Sequence, residues 1–242
     1  MSRAVFLGTP QAATPSLRAL SEVAEVVLVV TKPDRPRGRS GRPQPPPVKL
    51  EAERLGISIS QPDRSSELTG LLEAATPVDL GVVVAFGMIL RADTLAVPRL
   101  GFLNIHFSLL PRWRGAAPVQ RAIMASDPKT GVTLLRLDEG LDTGPVLATQ
   151  PTPIGELETA GELTDRLARL GAELLRETLP AYLEGRVVPS EQPEEGVTTA
   201  LRIRQEEARL DLRAPAAAVL ARVRALAPRP GAHGVLDGVR FK

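Results

Sequence analysis

"EVVLVVT", residues 25–31, decides the fold. It is an almost unbroken run of β-branched residues. A strand with one wet face alternates apolar and polar side chains, and this one does not. Such a run suits a strand buried on both faces, in a parallel sheet with helices above and below it. Working outward, "RAVFLG" (3–8), "VDLGVVVAF" (78–86) and "LGFLNIHF" (100–107) read as strands of the same sheet. "GVTLLRLD" (131–138) reads as a further strand, with "PVLATQ" (145–150) pairing beside it. A short strand is expected at 57–59. Helical spacing is predicted over 11–21, 47–55, 64–75, 116–125 and 158–184. Strands alternating with helices argue for an α/β fold with a doubly wound, mostly parallel sheet. Right-handed crossovers would gather the strand C-termini along one edge, where ligands bind.

The 242 residues are 43% hydrophobic and 24% charged, as in an ordinary globular protein. No apolar stretch is long enough for a transmembrane helix, and the N-terminus carries no signal-peptide cleavage pattern. Absence of cysteine excludes disulfides and thiolate metal sites, and a cytoplasmic location is expected. Net charge is only +2, and all but four of the 30 basic residues are arginine. Codon bias is the plain account of most of them, so local clusters carry the argument.

After about residue 186 the pattern changes to prolines and charges with no apolar period, as in a linker or crossing segment. Structure restarts with a helix at 215–226, followed by a hairpin around Asp237-Gly238. The organisation expected is a catalytic domain at 1–186, a linker at 187–205 and the beginning of a second domain at 206–242. That second part is too short to bury a normal core alone. It is expected to be incomplete, or to dock on the first.

Chemistry-bearing residues concentrate in a few places. Gly8-Thr9-Pro10 ends the first strand but is not a dinucleotide fingerprint. It is as readily a simple turn as a ligand contact. In 100–107, Leu103, Ile105 and Phe107 share one face by period two, and Asn104 and His106 share the other. An amide donor beside an imidazole could hold a developing oxyanion and manage a proton. The plain alternative is a hydrogen-bonded pair at a strand end. "LDEGLDTG" (137–144) is an acidic, glycine-bracketed loop whose turns could project a carboxylate into a cleft, where it could orient His106 or relay a proton. Asp138 and Glu139 read as turn-capping, solvent-facing acids and Asp142 as the one that enters the site, although spacing alone does not separate the three. From Ala96 to Ser126 there is no acid, while Arg99, Arg112, Arg114 and Arg121 lie there. They suggest a cationic rim for an anionic substrate, although Arg121 also reads as a solvated helix residue. Finally, "TKPDRPRGRSGRPQPPPVK" (31–49) carries Lys32, Arg35, Arg37, Arg39, Arg42 and Lys49 against Asp34 alone. Its six prolines exclude a helix or a central strand. A long basic loop of this kind suits RNA phosphates, an acidic protein partner or plain solvation.

"NIHFSLLPRWRGAAPVQRAI" followed by "TGVTLLRLDEGLDTGPVL" resembles the folate-dependent formyltransferases, with their Asn-x-His…Ser-Leu-Leu-Pro…Asp pattern. The Pro-Arg-Trp-Arg-Gly-Ala-Ala-Pro continuation, "FLGTP", "TKPDRPRGR" and "VVVAFGMIL" resemble the methionyl-tRNA formyltransferase family in particular. The likeness runs over 3–150 and continues more weakly to the end. It implies a Rossmann-like catalytic domain, then a linker and the start of an oligonucleotide-binding β-barrel. It implies formyl transfer from 10-formyltetrahydrofolate to the methionine α-amino group of initiator methionyl-tRNA, without a metal. It assigns catalysis to Asn104, His106 and Asp142. Folate contacts fall to Ser108, Leu109, Leu110 and Pro111, with Phe86, Gly87, Met88 and Leu90 beside the pterin. It assigns tRNA contacts to Arg35, Arg37, Arg39, Arg42 and Lys49. The chain is expected to act as a monomer, away from membranes. The rival readings are a formyltransferase for a small amine, such as glycinamide ribonucleotide or an amino sugar, and a non-catalytic folate- or RNA-binding module. Trp113, the sole tryptophan, has no role on this reading.

Overall fold

The computed structural model describes residues 1–36, 41–236 and 238–241. The elements follow the chain as β1 (Arg3–Gly8), α1 (Thr14–Val23), β2 (Glu25–Val30), β3 (Arg35–Pro36), β4 (Pro43–Gln44), α2 (Pro47–Leu55), β5 (Ile59–Ser60) and α3 (Leu68–Ala74). Then come β6 (Leu80–Val84), α4 (Ala92–Leu95), β7 (Phe102–His106), α5 (Pro118–Met124), β8 (Lys129–Arg136), β9 (Val146–Pro153) and α6 (Ala160–Leu183). The C-terminal part holds α7 (Ala216–Leu226), β10 (Gly234–Leu236) and β11 (Val239–Phe241). Single 3-10 turns precede α1 and α3, so these helices start later than the apolar spacing suggested.

The main sheet has the order β5-β2-β1-β6-β7-β8-β9. The first five strands in that order pair in parallel, and β8 and β9 run antiparallel. The mostly parallel α/β reading holds. The expectation that all strand C-termini share one edge does not, because β8 turns back beside β7. The physical reason is the connection: α5 has seven residues, about 10 Å of helix. That does not carry the chain back along the sheet for a parallel return, so β8 starts from the edge where β7 ends.

Period two sorts the strand side chains between two cores. Ala4, Phe6, Leu80, Val82, Val84, Leu103 and Ile105 enter one, with Phe107 packed against it. Helices α1, α2 and α6 contribute Leu17, Leu20, Val48, Leu163, Leu167 and Leu175 to that side. Val5, Leu7, Val83 and Phe102 enter the other core, beside Leu68 and Leu72 of α3. Helices thus cover both faces, as the β-branched strands require. Gly81 makes room for the Phe102 ring, which would lie 2.1 Å from a Cβ there. Helix α6 starts with a capping box between Thr159 and Glu162, which satisfies two of its otherwise unpaired N–H groups.

Of the two readings of the segment after α6, linker or crossing segment, its backbone bridges fit the crossing segment. Ser190 pairs with Val146, and Thr199 bridges Arg114. Residues 190–200 therefore lie as a strap across the loop that follows β7. Beyond it, α7 packs on α5, and Ala225 enters the main core. Strands β10 and β11 form an antiparallel hairpin. Its predicted turn residue Asp237 lies outside the described residues. Among the described residues, no helix is long and apolar enough to cross a membrane.

Candidate active site

Strand β7 ends with Asn104 and His106 on the face opposite Leu103 and Ile105. The loop after β8 brings Asp142 to both. Asn104 Nδ2 donates to Asp142 Oδ1 at 3.2 Å, and the Gly115 N–H donates to Oδ2 at 2.9 Å. His106 Nδ1 lies 3.5 Å from the same Oδ2. His106 Nε2 lies 2.9 Å from the Trp113 carbonyl. That carbonyl can only accept, so Nε2 carries a hydrogen and Nδ1 is the nitrogen that meets Asp142. His106 is buried.

Trp113 thereby gains the role it lacked on the sequence. Its backbone is left-handed, with φ of 65°, and this turn aims its carbonyl at the imidazole. The turn is held from three sides. Thr198 Oγ1 accepts from the Trp113 N–H at 2.8 Å. The indole N–H donates to Asp127 Oδ2 at 2.8 Å. Arg112 stacks 4.4 Å above the ring while making a bidentate pair with Asp127. Burial acts to raise the Asp127 carboxyl, but the Arg112 and Trp113 hydrogen bonds prevail and hold it below the usual carboxylate range.

Asn104, His106 and Asp142 line a cavity of about 560 Å³ together with Phe86, Gly87, Met88, Ile89, Leu90 and Gly115. The size suits a drug-sized ligand with a mostly apolar wall and few polar groups. Thr9 Oγ1 donates to the Phe86 carbonyl at 3.2 Å and so anchors the 86–90 wall from the end of β1. Gly8 itself packs closely against Phe6, Ala13 and the Val84 carbonyl, which favours the packing reading of that glycine.

The other predicted residues are distributed differently. Ser108, Leu109, Leu110 and Pro111 do not line this cavity. Ser108 is buried and donates to the Arg112 carbonyl at 2.6 Å. Its own carbonyl accepts from Thr133 Oγ1, and the Leu110 N–H donates to the same hydroxyl. Asp138 caps its own turn by accepting from the Gly140 N–H and the Thr143 hydroxyl, as expected of it. Three of the four rim arginines are paired with acids, and the fourth keeps its charge. Arg99 pairs with Asp79, Arg112 with Asp127 and Arg121 with Glu207, and Arg114 donates twice to Gln192. The acids are absent from 96–126 only because they come from elsewhere in the chain.

In the basic loop, Arg37 and Arg39 lie outside the described residues. The arms around them pair as the two-residue strands β3 and β4, so the segment is less irregular than its prolines suggested. Arg35 and Arg42 are exposed. Lys49 is committed to Asp34 through two 2.9 Å contacts, and Gln61 joins the same carboxylate. The Lys49 ammonium and the Gln61 amide hold the Asp34 carboxyl below its usual range. Lys49 pins the loop's base.

The sequence between 2 and 179 matches the formyl transferase family, and 202–242 matches the family's C-terminal domain. The chain belongs to the formyl transferase family. It is 55% identical to the methionyl-tRNA formyltransferase of Halorhodospira halophila, over 96% of this chain and 75% of that protein. It is 51% identical to that of Xylella fastidiosa, over 99% and 79% respectively. A solved 4-N formyltransferase from Francisella tularensis superposes with a TM-score of 0.77 at 15% identity, covering 99% of this chain and 95% of that one. A glycinamide ribonucleotide transformylase from Symbiobacterium toebii gives 0.66 at 23%, over 78% and 90%. These two likenesses are ones of fold. The chain is a formyltransferase that specifically resembles the methionyl-tRNA enzymes. No group of three or more metal-binding side chains occurs among the described residues.

Proposed function

We propose that the chain transfers a formyl group from 10-formyltetrahydrofolate to the α-amino group of methionine on initiator methionyl-tRNA, using Asn104, His106 and Asp142. One observation carries the site assignment: a single carboxylate meets Asn104, His106 and a backbone N–H in a ligand-sized cavity. The neutral amine attacks the formyl carbon, and the carbonyl oxygen takes up negative charge. Asn104 Nδ2 is a neutral donor placed to turn to that oxygen. His106 becomes a second donor once Nδ1 holds a proton. The attacking amine must lose a proton as its new bond forms. Asp142 receives it, directly or through water, and His106 Nδ1 lies 3.5 Å from the receiving oxygen. Collapse breaks the bond to the folate nitrogen, and the proton passes to that leaving nitrogen. The buried, Trp113-anchored ring keeps its geometry through both steps, which is the condition for electrostatic preorganisation.

The 86–90 wall is assigned to the folate ring. The basic loop, with Arg35, Arg37, Arg39 and Arg42, is assigned to tRNA phosphates, and Lys49 to holding that loop. Residues 1–186 form the catalytic unit in this reading, 187–205 the connection and 206–242 the C-terminal unit. A cytoplasmic location, where charged initiator tRNA is found, goes with it. The test is formyl transfer to methionyl-tRNA by Asn104→Ala, His106→Ala and Asp142→Ala. Loss of an oxyanion donor costs about 10²–10³ in kcat. Activity within about twofold of the parent in all three variants would reject these residues.

A further inference from the structure

We propose that Gln192, on the strap after α6, is a positioning residue for the Asp142 carboxylate. The inference rests on the role given to Asp142 above. Its basis is one amide that makes four hydrogen bonds to three residues. Gln192 Nε2 donates to the Asp142 carbonyl at 2.8 Å and to the Gly144 carbonyl at 2.8 Å. Gln192 Oε1 accepts from Arg114 Nε at 3.0 Å and Nη2 at 2.7 Å. The orientation of the amide is determined by its partners. Two carbonyls can only accept and a guanidinium can only donate, so a flipped amide would leave all four contacts repulsive.

Asp142 has reason to need this hold. Its backbone is left-handed, with φ of 54°, a conformation that aspartate reaches more readily than most side chains but that still costs free energy its contacts must offset. The neighbouring Leu141 is 64% exposed and gives the loop little burial on that side. The carboxylate end of Asp142 is fixed by Asn104 and Gly115, and Gln192 fixes the backbone end. Arg114 links the two, because it sits between Trp113, whose carbonyl meets His106, and Gly115, whose N–H meets Asp142. One strap side chain therefore sets the distance between the loop carrying Asp142 and the loop orienting His106. It touches no reacting atom itself.

Two variants separate its contacts. Gln192→Glu keeps an acceptor for Arg114 but turns a carboxylate oxygen toward the two carbonyls. Gln192→Ala removes every contact. Formyl transfer to methionyl-tRNA is measured in the full chain, with thermal unfolding followed in parallel. Both variants are expected to lower kcat by about 10–100-fold, with KM for both substrates within about threefold and Tm within a few degrees. A purely structural contact would lower Tm and leave kcat per folded molecule unchanged. Gln192→Glu at parental kcat overturns the proposal, because Arg114 would then be the only contact that matters. A single-turnover cycle with Asp142→Asn supplies the second reading. In that background, Gln192→Ala is expected to cost less than about twofold. An equal loss in both backgrounds shows that Gln192 acts elsewhere and overturns the proposal. Parental activity of Asp142→Asn alone would instead reject the catalytic role of Asp142.

Discussion

Gly115→Ala perturbs the site at a glycine that is both conformationally committed and pressed against the strap. Its φ of 122° lies outside the left-handed region that asparagine or aspartate tolerates. A Cβ there would meet the Ala200 carbonyl oxygen at 2.9 Å and its carbon at 3.4 Å. These are backbone atoms with little freedom to move. The Ala200 N–H donates to the Arg114 carbonyl at 2.7 Å, and the Ala200 carbonyl accepts from the Ala117 N–H at 3.1 Å. Backbone strain costs about 1–3 kcal/mol, and forced overpacking adds about 1–3 more. Part of that is relieved by displacement, so a net loss of about 3 kcal/mol is expected, or about 6–12 °C in Tm for a chain of this size. Displacement has its own cost, because the Gly115 N–H donates to Asp142 Oδ2 at 2.9 Å. Losing a hydrogen bond to a charged group removes about 1.5–3 kcal/mol, which is about 10–100-fold in kcat. The control is Gly56→Ala at the end of α2. There φ is 70° and a Cβ meets nothing within 4 Å, so only the backbone term acts, at about 1 kcal/mol and about 2–4 °C. Thermal unfolding and formyl transfer are measured on both variants. Equal Tm losses, together with kcat of Gly115→Ala within twofold of the parent, would refute the reasoning.

Acid should weaken the α1–α2 contact. Glu51 is held at about 2, first by its hydrogen bond to Arg18 and further by Arg54, against a desolvation that opposes both. A depressed carboxyl stabilises the fold fully above its unfolded value near 4.5 and loses that stabilisation as pH falls toward 2. The ceiling is about 3 kcal/mol. Arg18 and Arg54 are 49% and 61% exposed, and screening reduces the figure to about 1–2 kcal/mol. The gap in unfolding free energy between parent and Glu51→Gln should narrow below about pH 5 and close only as pH approaches 2, and a pH-independent gap would count against the pairing. For the basic loop, Arg39→Ala with Arg42→Ala should flatten the plot of log Kobs for tRNA against log salt by about 1–2. Lys49→Ala should change that slope less, since Lys49 already faces Asp34. An unchanged slope in the double variant would remove the loop from the tRNA contact.

Much of the fold was legible because the β-branched runs state their burial directly. Period two also divided Asn104 and His106 from Leu103 and Ile105 correctly. What the sequence hid is of two kinds. One is long-range pairing: the arginines of 96–126 look uncompensated until Asp79, Asp127 and Glu207 arrive from other elements. The other is backbone chemistry. The Trp113 carbonyl and the Gly115 N–H orient the imidazole and the carboxylate, and no side-chain pattern announces a main-chain donor. The strap was legible only as one of two readings, a linker or a crossing segment, and its partners were not. Its bridges to Arg114 and Val146 are backbone pairs formed by a stretch that reads as either.

The reversal of β8 explains why the acid comes from where it does. Arg136 pairs opposite Leu103, so β8 ends beside the start of β7 and not beside His106. The loop that follows must travel back along the sheet to bring Asp142 to Asn104 and His106. It can do so only on a face left open by the helices. Leu103 and Ile105 face the core that α6 closes, where Gly171 lets the helix approach within contact of Ile105. The opposite face, beyond Phe102, is the open one, and Asn104 and His106 point there. Polar residues on β7 and an antiparallel β8 are thus one solution: the strand exposes its chemistry on the face the returning loop must cross. Asp142 then meets the imidazole across the sheet surface, and the left-handed turns at Trp113 and Asp142 close the two loops on each other.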